Sequence, residues 1–334
     1  MAGALDLLRP PAHRGPLIAS GAVLVTVGVA LEEIRLDEQL ATGVHLAILA
    51  VSAAAMLALG LQARTEGGRP PAYQSVLLVS GLLLAAPALL TLADLLGADL
   101  SGDVPAGAFM WISLVLAGLA LWPAATKGSA VCALIGALAL GIAGLAFVKW
   151  STDASSVTTY RWLLLALALA YGVVSLLLRG PAPRHSEQLV NAAGLAILAL
   201  ALTGLLGGLA GLLIPFVSGL EGSPLPNGWE LVVLAAGCGL VAYGAVDRAP
   251  GPAYLGLANL AAFIAAAGAS DEAKLLYWPL LLLALGLGVM VVGLRPRRPL
   301  PPEPAAYPSG TVPLASRTDE ETTVRVRDDS PPRA

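Results

Sequence analysis

The chain has 334 residues, of which 57% are hydrophobic and only 12% are charged, and its formal net charge is −3. Soluble domains carry about 25% charged residues, so this composition excludes an ordinary soluble protein. The acidic balance also gives no basic surplus for nucleic acid, and the lipid bilayer is the partner that the composition predicts.

Ten apolar runs are long enough to be membrane-spanning helices, since a bilayer core about 30 Å thick needs about 20 residues at a rise of 1.5 Å per residue. In chain order they cover residues 16–34, 44–62, 74–96, 107–125, 130–149, 161–178, 189–217, 230–246, 253–269 and 275–294. The predicted organisation is a short amino terminus (1–15), a transmembrane bundle (16–298) and a tail (299–334).

Two of these spans have a second interpretation. Span 1 follows Arg9 and Arg14 and ends in VGVALEE, so it also resembles a signal peptide cleaved after Ala30, which would leave nine spans. Span 7 is long enough for two short crossings. Splitting it would move Arg248 to the outer face, and the charge rule therefore favours one long, tilted or kinked helix.

The distribution of arginine and lysine predicts that both termini are cytoplasmic. With the amino terminus inside, the inner loops carry most of the basic residues and the outer loops carry most of the acids, as the positive-inside rule requires. The predicted location is the bacterial cytoplasmic membrane. Tryptophans then mark the outer interface, namely Trp111, Trp150, Trp162, Trp229 and Trp278.

An internal repeat is visible in the sequence from span 3 onward. The segment from Trp162 to Arg179 resembles the one from Trp278 to Arg295, and each of the spans Gly107–Lys127 and Gly228–Arg248 runs from a glycine to a basic residue. Spans 3–6 and 7–10 are therefore predicted to be parallel tandem copies. Ten spans resemble the layout of the drug/metabolite transporter superfamily, but that family has inverted five-span halves, and the parallel repeat argues against membership.

Polar groups within the spans are few. Asn191, Thr203 and Asn259 are the predicted substrate contacts, although each could equally bond a neighbouring helix. Asp94, Lys149 and Arg161 form a predicted outer charged cluster, either a vestibule or charges that extend to water. No carboxylate is expected within the membrane, which argues against ion coupling.

Small residues four apart favour close helix packing in lipid. This spacing occurs in TGLLGGLAGLLIP, where the predicted packing residues are Gly204, Gly207, Gly208 and Gly211; a broken helix at Pro215 is the alternative. Catalytic and metal-binding motifs are not found, so the chain is predicted to be neither an enzyme nor a protein with a cofactor or metal.

The tail is rich in proline and charge and is predicted to be disordered. Its segment DEETTVRV resembles the acidic threonine sites of bacterial kinase substrates, which makes Thr322 and Thr323 candidate phosphorylation sites that a cytoplasmic partner would bind. Two functions follow from the whole pattern. One is a permease or flippase for a hydrophobic or neutral substrate; the other is a non-transporting scaffold or regulator that acts through the tail.

Overall fold

The computed structural model describes residues 15–36, 41–63, 71–98, 105–152, 156–205 and 225–268. Nearly all of them are helical, and none of the described residues lies in a strand. The predicted all-helical, polytopic bundle is confirmed. Span 10, the second half of span 7 and the tail lie outside the described residues.

The described residues form nine helices, which correspond one to one with predicted spans 1–9. They are α1 (Gly15–Leu36), α2 (Thr42–Gln62), α3 (Ala72–Leu95), α4 (Ala106–Lys127), α5 (Ala130–Thr152), α6 (Val157–Leu178), α7 (Pro183–Leu205), α8 (Asn227–Asp247) and α9 (Pro250–Gly268). By length and composition, α1 to α8 are able to cross a membrane, and α9 contains a slightly shorter apolar helix, Pro250–Ala266.

The helices are apolar on all sides because lipid, rather than water, surrounds them. Such a chain must satisfy its backbone polar groups internally, and the α-helix does this within each segment. Prolines precede α3, α4 and α8, at Pro71, Pro105 and Pro226, where the missing N–H is not needed by the helix. Large exposed apolar side chains cover the outer surface of the bundle.

The bundle is built from a row of helix hairpins. The most extensive contacts join α2 to α3, α4 to α5, α6 to α7 and α8 to α9, and each odd-numbered helix also packs on the next odd-numbered one. Among the described residues, all extensive contacts join helices at most two positions apart in the chain. The row therefore resembles a repeat array, in which each unit depends mainly on its neighbours.

The hairpins α4–α5 and α8–α9, which the predicted repeat pairs, have similar turns. Gly128 and Arg248 directly follow the first helix of each hairpin, both with a left-handed backbone (φ 66° and 55°). Their backbone N–H groups bond the carbonyls of Ala124 and Gly244. The four-span repeat itself stays a prediction.

The register of this repeat differs by one residue from the sequence alignment at the hairpin turn. The sequence pairs Lys127 with Arg248, whereas the structure makes Gly128 the counterpart of Arg248. The reason is that α8 has 21 residues and α4 has 22, so the two helices start in the predicted register and end one residue out of it.

The described hairpin turns, which follow α4, α6 and α8, lie at one end of the bundle, named here the turn end. Side chains near the turns cross-link it, since Ser175 of α6 and Ser186 of α7 each donate a hydrogen bond to the other's carbonyl, at 3.0 and 2.9 Å. His185 lies 3.2 Å from the carbonyl of Ala124 at the end of α4. The other end of the bundle, where α6 and α8 begin and α5 and α7 end, is named the far end.

Candidate functional site

The predicted substrate contacts are buried between helices. Asn259 of α9 is fully buried and donates its side-chain amide to the carbonyl of Gly194 on α7 at 3.2 Å and of Leu255 at 2.8 Å. Asn191 of α7 donates to the side-chain oxygen of Gln188 at 3.2 Å. Both asparagines are engaged in helix packing.

The third predicted contact, Thr203 near the end of α7, binds a charged side chain. Its hydroxyl donates to the carbonyl of Leu200 at 2.7 Å and accepts a hydrogen bond from Nε of Arg161 on α6 at 3.0 Å. Arg161 is only 2% exposed. This is a buried, hydrogen-bonded arginine at the far end of the bundle.

A second ionisable residue is buried at the same end. Glu230, in the first turn of α8, is only 4% exposed. Its neighbour Trp229 packs edge-on against Trp162, the residue after Arg161, with ring centroids 4.9 Å apart. The beginnings of α6 and α8 are therefore adjacent, and the far end holds a buried cation and a buried carboxylate.

Sequence reasoning missed the burial of these two groups. Arg161 and Glu230 are the fifth residue of α6 and the fourth of α8, and both were assigned to the outer interface. The expectation that no carboxylate is buried in the spans is wrong, because Glu230 is. The adjacent tryptophans, Trp162 and Trp229, were a usable signal, since such rings mark the membrane interface.

The other members of the predicted outer charged cluster have different surroundings. Asp94, near the end of α3, is exposed, Lys149, near the end of α5, is half-buried, and Arg161 is buried. Ionisable residues within membrane-spanning helices are rare and mark functional sites by default. Of the three, Arg161 is the one whose side chain is buried between helices, and it is therefore the candidate functional residue.

Three apolar clefts flank α6 and α7. The first, between α5, α6 and α7, has a volume of about 260 Å³. The second, of about 470 Å³, lies between α4, α5, α6 and α7. The third, of about 390 Å³, lies between α6, α7 and α8. Exposed side chains line each of them, among them Ile142, Val174 and Leu169. The clefts therefore open sideways, toward the lipid.

None of the three predicted substrate contacts lines these clefts. The walls are almost entirely aliphatic, and their polar lining residues are Tyr171, His185 and Tyr243. The Tyr171 hydroxyl donates a hydrogen bond to the carbonyl of Ala137 on α5, so it joins α6 to α5. Such clefts fit hydrocarbon rather than a hydrated solute.

Glycines bring the paired helices close together, as predicted for lipid-embedded packing. A Cβ added to Gly256 of α9 would lie 2.8 Å from the carbonyl oxygen of Gly237 on α8, and one added to Gly244 would lie 2.7 Å from Cβ of Ala253. Of the predicted packing motif, Gly204 contacts Leu225, and Gly207, Gly208 and Gly211 lie outside the described residues.

The turn end carries an exposed ion pair. The guanidinium of Arg179, at the end of α6, binds both carboxylate oxygens of Asp247 on α8 at 2.6 and 2.7 Å and lies 5.7 Å from the ring centre of Tyr243. Together with the Trp162–Trp229 contact, this pair links α6 to α8 at both ends. The two helices run parallel, as a hairpin repeat requires.

No group of three or more metal-ligating side chains occurs among the described residues. Thr322 and Thr323 lie outside them. Comparison with known protein families, with curated proteins and with solved structures finds no match. The function must therefore be argued from the geometry of this chain alone.

Proposed function

We propose that this multi-pass membrane protein is a permease or flippase for a hydrophobic, chain-bearing substrate. The observation that carries the proposal is the position of the cleft between α5, α6 and α7, which has exposed Ile142 in its wall and buried Arg161 one helical turn before its lining residue Leu164. A site open to the bilayer receives its substrate from the membrane, and an apolar wall binds it by van der Waals packing rather than by hydrogen bonds.

The polar residues support this choice over transport of a hydrated solute. Asn191, Thr203 and Asn259 each donate a hydrogen bond within or between helices, and none of the three lines the apolar clefts. The side-chain oxygens of Asn191 and Asn259 are buried without a hydrogen-bond partner among the described residues. A water-soluble substrate needs polar groups along the cleft that it passes through, because each lost hydrogen bond to water must be replaced. The absence of a buried carboxylate was the sequence-based reason against ion coupling, and the buried carboxylate of Glu230 removes that reason.

The test is lipid translocation by the full-length protein in liposomes. Fluorescent phospholipids are distributed over both leaflets, and a membrane-impermeant reductant bleaches only those in the outer leaflet. We expect bleaching to proceed beyond the outer half in the presence of the protein. Ala199→Phe, which fills the α5–α7 cleft, should slow this phase several-fold, and Ala166→Phe, at an exposed position on α6, is the matched control.

The proposal fails if the protein leaves the inner leaflet protected for lipids of several headgroups. Equal rates in both phenylalanine variants would also count against it, since the cleft would then have no part in translocation.

A scaffold is the second candidate, and the packing of the three polar residues between helices is the observation that favours it. In this function the transmembrane bundle anchors the protein in the membrane, and the tail binds a cytoplasmic partner when Thr322 or Thr323 is phosphorylated. Mass spectrometry of the tail from native membranes should then find phosphate on one of them. Complete coverage by unmodified peptides would remove the signalling role.

The orientation of the bundle belongs to the same proposal. At the turn end the described residues include Lys127, Arg179, Arg184 and Arg248, whereas the far end has Arg35, Lys149 and Arg161. The positive-inside rule supports a cytoplasmic turn end, with the buried arginine near the outer leaflet of the bacterial cytoplasmic membrane.

A further inference from the structure

The first and second clefts share one lining residue, Tyr171, and continue each other along α6. The first cleft is lined on this helix by Leu164, Leu167 and Tyr171. The second is lined by Tyr171, Val174 and Leu178. Because these residues are three or four positions apart, they form one stripe on one face of the helix. The two clefts therefore lie end to end on the same side of α6.

The other two walls continue in the same way. On α7 the second cleft is lined by residues within 182–189 and the first by residues within 192–202; on α5 the corresponding ranges are 133–140 and 138–145. Since α5 and α7 start at the turn end and α6 ends there, the second cleft is the turn-end half and the first cleft the far-end half of one groove. This groove between α5, α6 and α7 is named here the lipid groove.

The floor of the lipid groove is α7. Both α5 and α6 pack on α7, and they contact each other much less than either contacts α7, so a gap remains between them. Exposed Ile142 of α5 borders the far-end half, and exposed Val174 of α6 borders the turn-end half. Both halves thus open to the bilayer, and their aliphatic walls fit the acyl chain of a membrane lipid by van der Waals packing.

Tyr171 crosses the gap where the two halves meet. Its hydroxyl donates a hydrogen bond to the carbonyl of Ala137 on α5. Gly141 leaves room for this contact, since a Cβ added there would lie 2.6 Å from the hydroxyl oxygen. Tyr171 is seven residues from the end of α6, which places it about 10 Å from the turn end at a rise of 1.5 Å per residue. The crossing point is therefore within the membrane-spanning part of the bundle.

We propose that the lipid groove is one path across the membrane for the chain-bearing substrate, and that Tyr171 is the gate that closes it between its two halves. This inference rests on the proposed function and gives it a path and a gate. The bond to Ala137 holds the tyrosine across the groove, and a chain passes from one half to the other when the bond breaks and the ring turns aside. One neutral hydrogen bond changes such an equilibrium by about two- to tenfold, so the gate is able to open without a large input of energy.

The experiment is the liposome bleaching assay with the full-length protein and phosphatidylcholine that carries its fluorophore on an acyl chain. Tyr171→Phe keeps the ring and removes the bond, so bleaching of the inner leaflet should become about two- to tenfold faster. Gly141→Ala should act in the same direction, because its methyl group displaces the hydroxyl from Ala137. The matched controls are Tyr254→Phe, at an exposed tyrosine of α9, and Gly144→Ala, where an added Cβ meets no atom within 4 Å. Both controls should keep the wild-type rate.

Three further variants separate gating from general loosening and test the continuity of the path. Gly256→Ala overpacks α9 against α8, away from the lipid groove, and should lower stability without speeding translocation. Ala125→Phe fills the turn-end half and Ala199→Phe fills the far-end half. Each should slow translocation, because a substrate that is blocked in either half does not cross.

The outcomes distinguish this inference from the function on which it rests. A Tyr171→Phe rate equal to or below that of the wild type, with Ala199→Phe still slower, overturns the gate and leaves the permease or flippase proposal standing. An effect of Ala199→Phe without one of Ala125→Phe overturns the continuous path. Equal acceleration by Gly256→Ala and Tyr171→Phe assigns the effect to loosening of the bundle and also overturns the gate. If neither the wild type nor Tyr171→Phe exposes inner-leaflet lipid to bleaching, both proposals fail.

Discussion

Replacing Gly136 with alanine should loosen the α4–α5 hairpin. An added Cβ would lie 2.7 Å from Cγ and Cδ2 of Leu121 and 3.3 Å from its backbone nitrogen. Leu121 has to move, and the backbone contact limits how far the helices can adapt. Overpacking of this kind costs about 1–3 kcal/mol.

The gain from replacing glycine in a helix opposes this loss. Alanine is favoured over glycine in a helix interior by about 0.5–1 kcal/mol. Gly144 lies on the same helix and has no atom within 4 Å of an added Cβ, so Gly144→Ala isolates the gain. The stability difference between the two variants should therefore equal the overpacking loss, about 1–3 kcal/mol, with Gly136→Ala the less stable.

The chain provides its own reporter for this measurement. Cys132 is fully buried one helical turn from Gly136, and Cys238, on α8, is exposed. In a Cys238→Ser background, Cys132 is the one remaining thiol of the two cysteines. A fluorogenic thiol reagent then reports unfolding of detergent-solubilised protein on heating. Equal midpoint temperatures of thermal unfolding for Gly136→Ala and Gly144→Ala would refute the close contact between Gly136 and Leu121.

Three further predictions follow from the two ends of the bundle. Thr203→Val removes the acceptor for buried Arg161 and should destabilise the protein by about 1–3 kcal/mol, whereas Thr203→Ser should be near wild type in the same thermal assay. Asp247→Asn disrupts the ion pair with Arg179, whose side chain is 53% exposed, while that of Asp247 is 25% exposed. Because the pair is partly solvated, the variant should lose less than about 1 kcal/mol of unfolding free energy, and a larger loss would contradict the surface position of the pair. Arg184→Cys, in a cysteine-free background, should react with an impermeant maleimide only after the cell membrane is opened, and labelling of intact cells would reverse the orientation.

Helix positions were readable from the sequence because lipid imposes a simple rule. Every spanning segment must be apolar and helical, so in the described part of the chain predicted spans 1–9 reappear as nine helices. The sequence also predicts a four-span repeat, and the paired helices α4 and α8 share two glycine positions, Gly107 with Gly228 and Gly118 with Gly239. Its register failed by one residue at Arg248, because a helix can lose a residue without changing the composition from which the alignment was made.

The partners of individual side chains were decided by tertiary structure alone. Asn259 and Thr203 are residue types suited to a substrate site, but the carbonyl of Gly194 accepts from the Asn259 amide nitrogen and the Thr203 hydroxyl oxygen accepts from the guanidinium of Arg161. Hydropathy treats a charge four residues inside a helix as interfacial, and it cannot tell whether that charge faces lipid, water or another helix.

The sequence by itself determined that this chain is a membrane protein built from repeated helices, because hydrophobicity and charge bias act on each segment independently. Only the tertiary structure decided that Arg161 and Glu230 are buried at one end and that apolar clefts flank α6 and α7. Burial depends on which helix faces which, and in lipid that choice is made by side-chain packing over long distances in the chain rather than by the apolar character that all the helices share.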